Sequence, residues 1–266
     1  MSNQESGIPQ ESAQFTASGA TPPADSAAAR VTSVALDYFA EYGYEGTKLE
    51  NIARDAGMSK RMIHYHFGDK RGLYEQALIA AINRLHPPQD AFLVESDVPV
   101  EGVRVLVDAL FTQFLQHPES VRMIVMENLS QVLDIASLPP LSDESTIKLH
   151  VDRLLLAGQD AGAFRPGISA DDIFTLVASL AFYRITNTRT TANLFNIHFD
   201  NEENVDGVHR MMIDSVLAFL TSNIPNTGQA SYLVAENVSL GREDSSADGG
   251  LYDPSSTADL FDEPYE

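Results

Sequence analysis

TKLENIARDAGMSKRMIHYHF, residues 47–67, is the stretch whose reading decides the fold. Leu49, Ile52, Ala53 and Ala56 recur at steps of three and four, which predicts the buried face of a short helix. Thr47, followed by Glu50 at the third position, reads as a Ser/Thr-x-x-Glu capping box that starts that helix. Gly57 breaks it after about two turns, and Ser59 is placed to cap a second short helix. In that helix Ile63 and Phe67 lie one turn apart and point inward. Two short helices held at a steep angle by a tight turn make a helix-turn-helix, here at residues 48–67. Ala53 is small where the helices approach, Gly57 permits the backbone of the turn, and Met58 and Ile63 fill the junction.

The opposite side of the second helix carries Lys60, Arg61, Met62, His64, Tyr65 and His66. An α-helix fits the major groove of duplex DNA, and these side chains suit phosphates and base edges. Arg61, near the helix N-terminus, can take a guanine through a bidentate pair worth about 1–3 kcal/mol of discrimination, and Met62 can touch a thymine methyl. Tyr65, Lys70 and the hydroxyl and amides at Thr47 are expected to hold phosphates and set the register. Lys48 and Ser59 complete the expected contact set. His64 and His66 are two residues apart, so they diverge around the helix. A metal pair needs the i, i+4 spacing, and no metal is expected.

The helical pattern continues outward on both sides. Val31, Val34, Ala35, Tyr38, Phe39 and Tyr42 form one apolar stripe, which Gly43 stops. Gly68-Asp69 ends the reading helix and caps another, from Lys70 to about Leu85, and Pro87-Pro88 closes the segment. Further helices are expected at about 100–116, 118–128, 143–162, 169–191 and 203–223. Convincing strands with period two are absent, and LFNIHF at 194–199 alternates only briefly and can be a loop. The expected fold is all-α: an N-terminal helix-turn-helix domain at 26–85 and a larger helical domain at 86–224. Residues 1–25, rich in Gln, Ser, Ala, Thr and Pro, and the acidic segment 225–266 read as solvated tails, although the scattered Tyr232, Leu233, Leu251, Tyr252, Leu260, Phe261 and Tyr265 leave a docking role open for the second.

Net charge of −21 is unexpected for a phosphate binder, but its distribution is uneven. Residues 30–78 carry seven basic and seven acidic groups, with Lys60, Arg61, Lys70 and Arg71 close together. Residues 79–224 carry 9 basic and 19 acidic groups, and residues 225–266 carry 1 and 9. The acidic remainder repels stray nucleic acid and confines binding to one face. Cysteine is absent, which excludes disulfides and thiolate metal sites and fits a reducing cytoplasm. No stretch is long and apolar enough for a signal peptide or a membrane span, and no membrane role is expected. There is no G-x-S-x-G, Walker loop or G-x-G-x-x-G, so no enzyme and no cofactor is expected.

Residues 30–78 resemble the N-terminal domain of the TetR (tetracycline-repressor-like) family of bacterial regulators. The likeness runs through ALDYFAEYGYEGTKLENIARDAGMSKRMIHYHFGDKRGLYEQAL: the FxxxGY segment as Phe39, Gly43 and Tyr44, the IAxxAGxSK block from Ile52 to Lys60, and a reading helix that ends His64-Tyr65-His66-Phe67, with His64 where tyrosine is common. The resemblance implies a regulator, most often a repressor, that binds a double-stranded DNA operator. It implies that Lys70 holds a phosphate, and that helices about 169–191 and 203–223 form a homodimer interface. Val205, Val208, Met212, Val216 and Phe219 supply the stripe of the last helix. It further implies a small-molecule effector in the second domain, for which Phe111, Phe114, Met123, Met126, Asn128, Phe174, Tyr183 and Arg184 are the candidate lining. Arg184 can equally serve a salt bridge across the dimer. The alternative reading is a helical protein-interaction scaffold whose DNA reader no longer functions.

Overall fold

The structure, a computed structural model, describes residues 27–92, 98–135, 138, 140–224 and 231–233. The expected tails 1–25 and 225–266 lie outside the described residues, apart from Ser231, Tyr232 and Leu233. Among the described residues there are helices and no strand: α1 Ala27–Gly46, α2 Leu49–Asp55, α3 Lys60–Phe67, α4 Lys70–Arg84, α5 Gln89–Phe92, α6 Pro99–Gln116, α7 Pro118–Ser130, α8 Ser145–Asp160, α9 Ala170–Thr186, α10 Thr188–Phe195 and α11 Glu202–Thr221. None is long and apolar enough to cross a membrane.

Gly43 bends α1 rather than ending it, with φ at +68°. Only glycine adopts that backbone freely, and a Cβ there would lie 2.9 Å from the Met126 methyl of α7. The expected helix over 169–191 is broken at Asn187 into α9 and α10. Polar side chains compete for the backbone at that point: Thr186 Oγ1 donates to the Phe182 carbonyl and Thr188 Oγ1 to that of Arg184, each at 2.7 Å. LFNIHF is the end of α10 and a loop, turned by Asn196 in the left-handed region at φ 55°. Short polar side chains tolerate that region. The α9 start is held by a reciprocal capping box between Ser169 and Asp172.

Two apolar clusters form the interior. The first joins Val31, Leu36 and Phe39 of α1, Ile52 of α2, Ile63 of α3 and Leu73, Tyr74 and Leu78 of α4. Tyr74 meets Phe39 and Tyr44 edge-on, at ring separations of 4.8 and 5.2 Å. The second is built by α6, α8, α9 and α11 around Leu106, Val107, Leu110, Leu155, Val177, Met212 and Val216. Helix α7 belongs to both, with Val121 in the second cluster and Met123 in the first. Its last turn adds a buried carboxylate, because Glu127 is 2% exposed and accepts the Leu133 N–H at 2.8 Å. Burial, and then the neighbouring Glu127, push the Tyr74 phenol far above its ordinary range. Glu127 thus ties the end of α7 to the following loop.

The double membership of α7 is open to test. Met123 is fully buried, so Met123→Ala removes its methylenes and sulfur and leaves a cavity. The expected loss is about 2–5 kcal/mol in chemical denaturation. An unchanged midpoint would show that α7 does not share the helix-turn-helix core.

Candidate nucleic-acid interface

The geometry of α3 follows from its two ends and one buried side chain. At the start, Ser59 Oγ accepts the Met62 N–H at 3.3 Å. At the far end, Asp69 caps α4 by accepting the Gly72 N–H at 2.8 Å. A Cβ at Gly72 would lie 2.1 Å from the Phe67 carbonyl oxygen, so only glycine lets α4 start so close to the end of α3. Ile63 is fully buried. Lys60, Arg61, Met62, His64, Tyr65 and His66 are all exposed, Tyr65 to 75%. The structure therefore leaves the whole expected outward set exposed.

Its members are not equally available. Arg61 has neither an ion pair nor a hydrogen bond among the described residues. Lys60 pairs with Glu50 of α2 at 2.7 Å, and that hydrogen bond is the main reason the Glu50 carboxyl lies below its usual range. Lys70, half-buried, holds its Nζ 4.4 Å from the centre of the Tyr44 ring. His64 Nδ1 lies 2.8 Å from the Gly68 carbonyl, folding that ring back on its own helix end. Lys48 is exposed as the N-cap residue of α2.

Thr47 requires a correction. It does not cap α2, since Lys48 occupies that position without a side-chain cap. Thr47 is 2% exposed. Its hydroxyl donates to the Gly43 carbonyl at 2.7 Å and lies 3.0 Å from that of Tyr38, so it repairs the bend of α1 and is withdrawn from phosphates. A contact that the pattern did not reveal lies alongside. Tyr38 donates its hydroxyl to Asp55 at 2.5 Å, and Arg54 Nε donates to the same carboxylate at 2.7 Å, which joins α1 to α2.

The eight residues expected to line an effector site are not brought to one cavity. Met123 is in the helix-turn-helix core and Met126 sits against Gly43, because this side of α7 faces α1 and α4. Asn128 is exposed and donates to the Ile124 carbonyl of its own helix. Tyr183 is half exposed. Phe111, Phe114 and Phe174 belong to the second cluster as packing groups. Arg184 is buried, donates to the Phe199 carbonyl at 3.3 Å, and has its pKa lowered by burial. Two open cavities occur elsewhere. One, of about 330 Å³, lies between α1 and α7 and is lined by Asp37, Tyr38, Glu41, Tyr42, Glu119 and Arg122. The other, of about 420 Å³, lies along α5 and α6 and includes Ala91, Val105, Ala109 and Gln113.

Residues 31–77 match the family described as bacterial regulatory proteins, tetR family, and residues 99–216 match the tetracyclin repressor-like C-terminal domain. The HTH-type transcriptional regulator RutR of Escherichia coli is 30% identical over 195 residues, which cover 70% of this chain and 88% of that protein. The HTH-type transcriptional repressor NicS of Pseudomonas putida is 26% identical over 183 residues, covering 68% and 85%. Among solved structures, a bacterial regulatory protein in the tetR family from Rhodococcus RHA1 has the same fold, with a TM-score of 0.53 at 20% identity over 74% of this chain and 97% of the other.

The α1–α2 link makes a pH prediction. Asp55 is lowered first by its bond from Arg54 and then by that from Tyr38. A carboxyl depressed in the folded state keeps its link at pH above the ordinary aspartate value of about 3.9 and loses it as the pH falls through the folded value. An NMR titration of the Asp55 carboxyl carbon should therefore give a midpoint below that of an unstructured aspartate, and Tyr38→Phe should raise it. A midpoint at the ordinary value in both proteins would refute the link.

Proposed function

This chain belongs to the tetR family of bacterial regulatory proteins, DNA-binding regulators of transcription, and on that premise we propose that it is a homodimeric repressor of a duplex operator, released by a small-molecule effector. The observation that carries the reading is the arrangement of α3. One buried residue, Ile63, seats the helix, and Arg61, without an ion pair among the described residues, is exposed with Met62 and Tyr65. Arg61 is the proposed base reader, while Lys48, Lys60, Tyr65, His66 and Lys70 hold phosphates on either side.

A helix-turn-helix gains usable affinity from two half-sites about 34 Å apart, and α9 and α11 are the proposed dimer pair. On α9, Thr175, Ser179, Tyr183 and Thr186 form one exposed strip, and α11 exposes Met211, Asp214 and Ala218. Apart from Asp214 these groups are uncharged, which favours close approach of a second helix pair. The sign of regulation follows NicS, which is named a repressor. Effector release is supported by α7, whose residues pack in both clusters, so a ligand that shifts the second cluster biases the placement of the first. The cavity along α5 and α6 borders that second cluster through Ala109. The proposed site of action is the cytoplasm, where the operator lies.

Fluorescence anisotropy with duplexes tiled across the DNA upstream of the gene tests the reading, at several salt concentrations. One duplex should bind two protomers, far more tightly than a scrambled duplex, with affinity that falls steeply as salt rises. Arg61→Ala should weaken that binding about 5- to 150-fold, the equivalent of the 1–3 kcal/mol expected for a bidentate base contact. Equal affinity for the scrambled duplex, or an Arg61→Ala protein that binds as the wild type does, would overturn it.

A further inference from the structure

Ser231, Tyr232 and Leu233 lie against the body of the protein, and the contacts that hold them are directional. The Asp172 carboxylate, 5% exposed at the start of α9, accepts the Leu233 N–H at 2.9 Å through Oδ1 and the Tyr232 N–H at 3.3 Å through Oδ2. Oδ2 also accepts the Ser169 N–H of the capping box at 2.9 Å. On the other side, Arg165 donates through both terminal nitrogens to the Tyr232 hydroxyl, each at 3.2 Å, and through Nε to the Phe219 carbonyl at 2.8 Å. Its guanidinium carbon stands 4.8 Å from the Phe219 ring centre and 5.6 Å from that of Tyr232, and the two rings are 5.4 Å apart.

Three places in the fold meet here: the first turn of α9, the last turn of α11, and the loop between α8 and α9. Tyr232 and Leu233 remain 58% and 45% exposed. Burial of apolar surface therefore does not explain their seat. Charge-assisted hydrogen bonds and a cation between two rings do. The carboxylate serves both sides, because the group that closes the start of α9 also receives two backbone N–H groups from the far end of the chain.

We propose that Ser231–Leu233 is a strap that pins the end of α11 to the start of α9 and so sets the register of this helix pair. The proposal rests on the assignment of the pair to the dimer face. A slipped pair presents its exposed strips out of step with those of a second copy, so loss of the strap weakens self-association as well as the protomer.

The test compares four proteins: the full chain, a chain ended after Leu233, a chain ended after Ile224, and the full chain carrying Tyr232→Ala. Thermal melting, exchange of the Leu233 amide and dimer dissociation by sedimentation are the readouts. The chain ended after Leu233 should match the full chain. The other two should melt several degrees lower and dissociate about tenfold more readily, and the Leu233 amide should lose its protection in Tyr232→Ala. If the chain ended after Ile224 melts and dissociates as the full chain does, the strap is refuted. A melting shift with unchanged dissociation refutes its role in register. A full chain that is monomeric at every concentration refutes the dimer assignment and the register role with it, and the strap is then decided by melting and by the Leu233 amide alone.

Discussion

One inward-facing side chain controls what the outward face of α3 can do. Ile63 is fully buried among residues of α1, α2 and α4, and the helix it anchors is only Lys60–Phe67. A helix of two turns is unstable alone, so its orientation is a property of the socket. The caps at Ser59 and Asp69 fix where it starts and where the next begins. Gly72 lets α4 leave at once.

The socket in turn leans on the second domain. Helix α7 contributes Met123 to the helix-turn-helix core and Val121 to the other, and the Met126 methyl occupies the space that a side chain at Gly43 would need. Glu127 is a more demanding contribution, since an apolar residue of similar size often serves stability as well as a buried charge does. What the carboxylate adds is direction. It fixes the end of α7 to the loop at Leu133, and a hydrogen bond tolerates rotation of α7 less readily than apolar packing does. Helix α7 is therefore fastened at its far end as well as packed in both clusters.

The helix-turn-helix was legible because short-range rules dominate it: apolar spacing, an N-cap serine, a turn glycine. The same rules failed at Thr47, where a correct capping pattern lost to a stronger local demand, the open carbonyls left by the bend at Gly43. They failed again at Asn187, where threonine hydroxyls draw on the backbone of a segment whose apolar period is otherwise continuous. Which side of α7 a residue faces was not legible, because an apolar residue in a helix period reads alike on either side. Met123 and Phe111 carry the same local signal and lie in different cores. The seat of Tyr232 could not be read at all, since Asp172, Arg165 and Phe219 are brought to it from three separate segments.

Charge completes the account of the reading face. The chain is strongly acidic, yet the cations of α3 and its neighbours are not neutralised in one way. Lys60 is held by an exposed ion pair with Glu50 and Lys70 by the face of Tyr44. An exposed ion pair is weak in salt water, and the face of an aromatic ring does not cancel the charge of a cation. Both lysines are therefore held in place without being withheld. Glu50 has a second consequence: off the operator it offsets a cation on the reading face, while the acidic bulk of the chain repels polyanions from other directions. Both arrangements oppose nonspecific attraction of polyanions, whereas Arg61 has no ion pair or hydrogen bond among the described residues.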